Sequence, residues 1–145
     1  MAKVSTYLNF PRNTEEAFNF YKIVFNSEFS EYGIMRFSDI PTTEGMPPLP
    51  DEDKNLIMHI ELPITGGHSL MGSDAPESMC FTITKGNNVY IMLQPDSRAE
   101  TDSLFSALSA GGVVTQQMQD MFWGDYYGSC TDKFGVNWMF NYHGE

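Results

Sequence analysis

Positive charge is scarce in this chain of 145 residues. Eight Lys and Arg residues stand against 19 Asp and Glu residues, which gives a formal net charge of −11. An acidic surface of this kind repels phosphate backbones and anionic lipid headgroups. We therefore expect neither nucleic acid nor membranes among the partners of this protein.

Cysteine is also rare, and long hydrophobic runs are missing. The two cysteines, Cys80 and Cys130, lie far apart and form no CxxC spacing, so neither a thiolate metal site nor a redox dithiol is indicated. The N-terminus has no basic stretch leading into an apolar segment, and no apolar run approaches the length of a bilayer span. Two reduced cysteines without a secretory signal predict a cytoplasmic location.

Several motifs of catalysis and cofactor binding are absent as well. The chain has no GxSxG nucleophile elbow, and neither GxGxxG nor GxxxxGK[ST] occurs. A serine hydrolase and a nucleotide cofactor therefore have no support. Serine hydrolysis or nucleotide binding would need motifs other than these.

Aromatic residues are plentiful, at 14% of the chain, and they cluster in its last third. Two strand-like segments, 124–131 and 136–142, flank the sequence Asp132-Lys133-Phe134-Gly135. This is a tight-turn sequence, since its glycine can adopt a positive φ and its aspartate can accept hydrogen bonds from the turn backbone. The pattern predicts a terminal β-hairpin in which Asp132 has a structural role.

The two halves of the chain repeat one plan, βαβββ. In the first half a strand at 4–10 precedes a helix with a capping box of Asn13 and Glu16 and an apolar face that includes Ala17, Phe20 and Tyr21. In the second half the corresponding features are a strand at 89–93, a capping box of Ser97 and Glu100, an apolar face with Leu104, Phe105 and Leu108, and a stop at Gly111-Gly112. The remaining predicted strands are 29–37, 55–62 and 68–73, then 113–121, 124–131 and 136–142.

Two segments do not fit the repeat. Segment 38–54 holds four prolines and the acidic cluster Asp51-Glu52-Asp53, which predicts a loop that is either a mobile flap, a pocket lid or a tolerated insertion. The apolar run 79–84 is predicted to add an edge strand or to pack on a partner subunit. We interpret the chain as a single α+β domain of module 1 (about 1–74), a connector (75–87) and module 2 (about 88–145).

The chain resembles the vicinal oxygen chelate superfamily, which includes glyoxalase I, extradiol dioxygenases and the fosfomycin and bleomycin resistance proteins, and within it the PhnB-like group. The matching segments are Tyr7-Leu8-Asn9-Phe10, the helix with Phe20-Tyr21, Leu70-Met71-Gly72-Ser73-Asp74, Phe122-Trp123-Gly124, and Thr131 to Val136 with Trp138-Met139. The resemblance implies two βαβββ modules that form a curled mixed sheet around a cavity, in a homodimer.

Catalytic members of this superfamily hold a divalent metal with His, Glu or Gln side chains. The resemblance carries those positions to Ser5, Met71, Asn88 and Met139, which form a poor site for a divalent ion. The resemblance therefore implies that the standard metal site is lost. We predict no metal ligand and no cofactor.

A histidine and a glutamate could supply other chemistry. His59 and Glu61 are two residues apart in a predicted strand, so their side chains share a sheet face. Such a pair is either half of a metal site, a general acid/base couple, or a hydrogen-bonded pair on a solvated face. The other two histidines, His68 and His143, are predicted to be surface residues at a turn and a terminus.

A ligand pocket needs apolar walls with a few polar groups, and the strands offer candidates of both kinds. The predicted ligand-binding residues are Tyr7, Asn9, Met71, Asp74, Trp123, Tyr127 and Trp138. The favoured function is a dimeric, metal-independent small-molecule binding protein. The alternative is a metal-dependent glyoxalase- or dioxygenase-type enzyme with a non-standard site around His59 and Glu61. The label 3-demethylubiquinone methyltransferase, given to some PhnB-like proteins, has no support here, because the predicted strand order is not that of a Rossmann-like sheet.

Overall fold

Two compact units make up the chain, Met1–Ile83 and Thr84–Glu145. The structure is a computed structural model that describes residues 1–31, 33–41, 45 and 47–144. Parts of the predicted strand 29–37 and of the Pro-rich segment 38–54 therefore lie outside the described residues. The boundary between the units falls inside the predicted connector. Both units have the order βαβββ, so the predicted α+β fold of two repeated modules is confirmed.

The first unit is a four-stranded mixed sheet with one helix. Its strands are β1 (Thr6–Phe10), β2 (Ile34–Arg36), β3 (Ile57–Pro63) and β4 (Ser69–Asp74), and its helix is α1 (Thr14–Val24). The strand order is β1-β4-β3-β2, with β1 and β4 parallel and the other pairs antiparallel.

Helix α1 packs on one face of this sheet through Ala17, Phe18 and Tyr21, all fully buried. The Phe18 ring meets Phe10 of β1 edge-on, with centroids 6.4 Å apart. Gly72 of β4 makes room for the ring, since a Cβ there would stand 2.8 Å from it. The buried face thus includes Phe18, whereas Phe20, which the periodicity predicted to be buried, is only half-buried.

The predicted capping box at the start of α1 is wrong. Asn13 occupies the N-cap position but its side chain makes no capping hydrogen bond. Asp74, at the end of β4, caps the helix instead: its Oδ1 accepts hydrogen bonds from the Thr14 backbone N–H at 3.1 Å and from the Thr14 hydroxyl at 2.8 Å. The cap of α1 is therefore supplied by Asp74, which is 60 positions from Thr14, and not by the neighbouring Asn13.

The second unit repeats the arrangement with strands β5 (Ile91–Leu93), β6 (Val113–Asp120), β7 (Asp125–Thr131) and β8 (Asn137–His143) and helix α2 (Arg98–Ser109). The order β5-β8-β7-β6 matches that of the first sheet. Ser97 caps α2 as predicted, since its Oγ accepts from the Glu100 N–H at 3.0 Å. The Glu100 carboxylate accepts from the Asp96 N–H at 3.3 Å rather than from Ser97.

The buried face of α2 is the predicted one. Leu104, Phe105 and Leu108 lie against the second sheet, where Phe105 meets Phe140 of β8 edge-on at 5.3 Å. The chain leaves the helix through Gly111, whose φ of 76° favours glycine. Neither α1 nor α2, nor any other helix within the described ranges, combines the length and the apolar character that crossing a bilayer demands.

The predicted hairpin joins β7 to β8. Asp132 Oδ1 accepts hydrogen bonds from the Phe134 N–H at 2.8 Å and the Val136 N–H at 3.0 Å, and Gly135 has a φ of 90°. The Asp132 Oδ2 accepts from the indole N–H of Trp138 at 2.8 Å. The structural role predicted for Asp132 is therefore confirmed, and the indole contact extends it into the core.

The segments outside the repeat are anchored by one ion-pair network. Segment 51–53 is a single 3-10 turn, and its Asp53, 1% exposed, accepts from Arg12 at 2.8 Å and from the Ser78 hydroxyl at 2.7 Å. These contacts hold the pKa of Asp53 below its ordinary value. The run 79–84 does not form the predicted strand; a 3-10 turn, Glu77–Met79, precedes an irregular segment.

The two cysteines are expected to differ sharply in reactivity. Cys80 is exposed, whereas Cys130 is fully buried in β7, and burial raises the pKa of its thiol to about 12. Because the thiolate is the reactive form, a disulfide reagent should titrate one thiol in the native protein and two after unfolding. Cys80→Ser should leave no native reactivity. Two fast-reacting thiols in the folded protein would contradict this placement.

Candidate functional site

The face of the first sheet opposite α1 carries five of the predicted site residues. Tyr7 and Met71 are register partners, and Met71 is also the partner of Glu61. Since alternate residues of a strand share a face, Asn9 and His59 lie on this side as well. We call this set, Tyr7, Asn9, His59, Glu61 and Met71, the first-sheet face.

Tyr7 and His59 form a pair on the first-sheet face. The Tyr7 hydroxyl lies 3.3 Å from His59 Nδ1, and the two rings are tilted with centroids 5.7 Å apart. Tyr7 is 49% exposed although it stands within a sheet. An aromatic ring left this open offers an apolar surface with a hydrogen-bonding group at its edge.

Glu61 is held by hydroxyl groups. Its Oε1 accepts a hydrogen bond from Ser69 at 3.3 Å and a long one from Ser30 at 3.5 Å, and Lys3 Nζ donates to the same Ser69 hydroxyl at 2.7 Å. His59 and Glu61 share a face as the spacing predicted. In the described part of the chain they contact different partners and not each other, so they do not form the acid/base couple that the spacing allowed.

Two predicted ligand-binding residues lie on the opposite, helix-covered faces. Asp74 is 4% exposed, and its Oδ2 also accepts from the Ile57 N–H at 2.8 Å, so its oxygens are engaged by α1 and β3. Trp138 is fully buried beside α2 and donates its indole N–H to Asp132. Both side chains are structural in this position and are not available to a ligand.

Trp123 and Tyr127 belong to the second unit. Trp123 is 53% exposed in the turn between β6 and β7, where its ring contacts that of Phe122 edge-on at 4.9 Å. Tyr127 is a register partner of Asn141 and lies on the sheet face opposite α2. Trp123 is therefore a surface residue rather than part of the core.

A contact that the sequence reasoning missed lies beside them. His143 Nδ1 is 2.5 Å from Asp125 Oδ1, and Asn141 donates to Asp125 Oδ2 at 3.1 Å. The pKa of the Asp125 carboxyl is lowered, mainly by His143 and next by Asn141. The sequence could have predicted this contact from the hairpin turn. Counting outward from Asp132–Gly135 along both strands pairs Asp125 with His143, as the structure does.

The positions that bear metal in catalytic superfamily members do not suit a divalent ion here. Met71 and Met139 stand at corresponding places in β4 and β8, each paired with the strand that opens its unit. In the first unit Ser5 and Met71 offer a hydroxyl and a thioether, and in the second unit Asn88 and Met139 offer an amide and a thioether. Zinc, nickel, manganese and iron sites rarely use such groups. Within the described ranges, no three His, Cys, Asp or Glu side chains gather closely enough to hold a metal.

The Pro-rich segment forms an apolar groove of its own. Its lining includes Phe37, Ile40, Pro48, Leu49 and Lys54, and its volume is about 520 Å³. Part of this segment lies outside the described residues, so the choice between flap, lid and insertion stays open.

Comparison with known proteins agrees with this architecture. The family model described as 3-demethylubiquinone-9 3-methyltransferase matches residues 2–140. Protein PA1353 of Pseudomonas aeruginosa is 32% identical with a TM-score of 0.83, and the match covers 100% of both chains. A PhnB protein of Bacillus cereus is 25% identical over 97% of this chain and 99% of its own, with a TM-score of 0.72.

A more distant structure shows the same fold. A glyoxalase/bleomycin resistance protein/dioxygenase family enzyme of Burkholderia phytofirmans is 20% identical, with a TM-score of 0.63 over 97% of this chain and 98% of its own. The chain belongs to the family described as 3-demethylubiquinone-9 3-methyltransferase, the PhnB-like group.

Proposed function

We propose that this protein is a dimeric, metal-independent binding protein for a small planar molecule, which it receives on the first-sheet face. The observation that carries the proposal is the half-exposed Tyr7 ring in register with Met71, on the face that α1 leaves uncovered. An open aromatic and a thioether side by side provide the apolar surface on which a flat ligand can lie.

Polar groups around this surface would orient the ligand. The Tyr7 hydroxyl and His59 stand at one side of Met71, and Glu61 with its serine partners stands at the other. A molecule with a flat apolar body and one or two hydrogen-bonding substituents fits such a frame. Because carboxylate oxygens accept hydrogen bonds, a donor substituent is favoured on the Glu61 side.

Metal independence and dimerisation rest on separate features. Metal independence follows from the thioether, hydroxyl and amide groups at the positions where relatives hold metal. For the dimer, the support is exposed apolar surface at the edge strand β5 of the second unit and just before it, where Met92 and Val89 are 47% and 72% exposed. Monomeric proteins rarely leave contiguous apolar patches open, so a second copy is a reasonable cover.

The binding surface can be tested with Met71→Lys. This change places a charge in the middle of the first-sheet face while the core on the α1 side stays intact, so binding should fall at least tenfold with little loss of stability. The measurement is the amount of small molecule released from untagged, denatured protein, quantified by mass spectrometry. Ile23→Lys is the matched control, since Ile23 is 80% exposed on α1. Equal recovery from both variants would overturn the proposed site.

Metal content and assembly are tested on the same preparation. We expect elemental analysis of protein purified without chelators to show far less than one equivalent of Zn, Ni, Mn or Fe, and native mass spectrometry to show the mass of a dimer. One equivalent of metal would favour the alternative, a glyoxalase- or dioxygenase-type enzyme with a non-standard site. A monomer without metal would remove the dimer from the proposal and leave the binding face.

One observation favours that alternative. The phenol of Tyr7 and the imidazole of His59 are within hydrogen-bonding reach on an open face, and such a pair can exchange a proton with a bound substrate. His59→Gln would then abolish turnover while ligand binding persists. Loss of binding without any measurable turnover would support the binding protein.

Methyl transfer, named in the description of the matching family, is not part of the proposal. Both sheets are mixed rather than doubly wound, and the connection from β1 to α1 is Pro11-Arg12-Asn13 instead of a glycine-rich turn. S-Adenosylmethionine sites of the Rossmann type use that turn to approach the cofactor closely.

A further inference from the structure

We propose a second ligand site, at the end of the β7–β8 hairpin in the second unit, that takes an uncharged aromatic molecule bearing a hydroxyl group. It is made of the Asp125–His143 pair and the exposed ring of Trp123. None of these residues belongs to the first-sheet face, so the site does not depend on the function proposed above.

Asp125 fixes the orientation of the imidazole. Its Oδ1 lies 2.5 Å from His143 Nδ1, while its Oδ2 is occupied by the amide of Asn141 at 3.1 Å. The pKa of Asp125 is lowered, mainly by His143 and next by Asn141, so the carboxylate is ionised at neutral pH. An ionised carboxylate can only accept hydrogen bonds, so Nδ1 of His143 carries the proton.

The proton on Nδ1 determines what the other ring nitrogen can do. In neutral imidazole one nitrogen donates and the other accepts, so Nε2 of His143 presents a lone pair. The His143 side chain is 83% exposed, whereas its Asp125 partner is 20% exposed. The pair therefore combines a carboxylate that is fixed by hydrogen bonds with an accessible acceptor nitrogen. An exposed histidine without such a partner would populate both tautomers.

Aromatic surface stands beside this acceptor. The ring of Trp123 is half-exposed and is braced edge-on by Phe122, which is itself 97% exposed. Trp123 precedes Asp125 by two residues in the turn between β6 and β7, so it stands at the same end of the hairpin as the Asp125–His143 pair. Exposing large aromatic rings to water is energetically unfavourable, and aromatic rings beside a polar pair are typical of binding surfaces.

The ligand class follows from these parts. A flat aromatic ring can stack on Trp123 while its hydroxyl donates to Nε2 of His143. The formal net charge of −11 disfavours anionic ligands, so the uncharged phenol form is preferred over a phenolate or a carboxylate. An aromatic ether of the same shape lacks the donor and should bind more weakly by about tenfold, the worth of one hydrogen bond.

The test uses p-cresol and its methyl ether, 4-methylanisole, titrated into the full chain at several pH values from about one to about three units above the ordinary pKa of histidine. The signal is the indole N–H resonance of Trp123 in nitrogen-15 NMR spectra, assigned with Trp123→Phe. The resonance of Trp138, which is fully buried, serves as an internal reference that should not move. We expect p-cresol to shift the Trp123 resonance and to bind about tenfold more tightly than the ether.

Variants separate the hydroxyl contact from stacking alone. His143→Gln should abolish the preference for p-cresol over the ether, since it removes the oriented acceptor from an exposed position that contributes little to folding. His68→Gln is the matched control, because His68 contacts Thr6 in the first unit, and it should keep the preference. Ile23→Lys, at an exposed position of α1 in the first unit, should keep it too.

Two results would overturn the inference. One is the absence of any shift of the Trp123 resonance by p-cresol, and the other is a preference for p-cresol that survives in His143→Gln. Either would leave the first-sheet proposal standing, because that proposal uses different residues and a different measurement.

Discussion

Replacing Asp132 by alanine is expected to lower the free energy of unfolding by about 4 kcal/mol, because it leaves buried hydrogen-bond donors without an acceptor. The carboxylate is 3% exposed and accepts from the backbone N–H groups of Phe134 and Val136 and from the indole of Trp138. Water cannot easily replace it, so those donors lose their partner inside the protein. The measurement is urea unfolding followed by circular dichroism.

Asp132 Oδ1 accepts from the turn backbone and Oδ2 accepts from the indole of Trp138, so Asp132→Asn can distinguish the two sets of contacts. The amide oxygen of asparagine can still accept from the turn backbone, whereas its NH2 group would face the indole N–H of Trp138. We expect about half the loss seen with alanine, because the turn contacts survive and the core contact does not. Asp96→Ala is the control, since Asp96 is exposed. If Asp132→Ala were as stable as this control, the hairpin would not depend on the carboxylate.

Asp74→Ala is expected to destabilise the first unit by about 3–5 kcal/mol, for a related reason. The carboxylate joins three parts of the unit: it ends β4, it caps α1 at Thr14 and it accepts from the Ile57 N–H of β3. Its loss leaves buried donors in a helix and a strand at the same time. Chemical unfolding measures the effect, and the protection of α1 amides against hydrogen exchange should fall with it.

Asn9→Ala is the matched control for this experiment. Asn9 is the penultimate residue of the neighbouring strand β1. It is exposed, and among the contacts described its side chain accepts only from Ser73, at 3.0 Å. We expect a change within about 0.5 kcal/mol. Asp74→Ala also separates structure from binding: a variant that folds normally but loses its ligand would restore Asp74 to the ligand site and refute the capping role.

Local sequence predicted the features whose interactions are themselves local. The hairpin between β7 and β8, the Ser97 cap of α2 and the buried residues Leu104 and Leu108 follow from turn chemistry and helical periodicity. In each case the interacting groups are only a few residues apart. Their geometry is therefore fixed by backbone conformation before any distant segment joins them.

Features that depend on long-range contacts were assigned wrongly or missed. Asn13 has the residue type of an N-cap, yet Asp74 occupies its role because parallel pairing of β1 with β4 brings Asp74 beside the start of α1. Trp138 lies within β8, where the packing of α2 buries it, whereas Trp123 lies in the turn between β6 and β7 and is half-exposed.

By itself, the sequence determined the α+β class, the repeated βαβββ order, the hairpin and the membership of the PhnB-like group, because these depend on patterns of residue type along the chain. The tertiary structure alone decided which candidate residues share a surface. It placed Tyr7, His59 and Met71 together on an uncovered face, removed Asp74 and Trp138 to the buried faces, and paired His143 with Asp125. The physical reason is that strand pairing and helix docking, rather than residue type, determine which side of a sheet remains open.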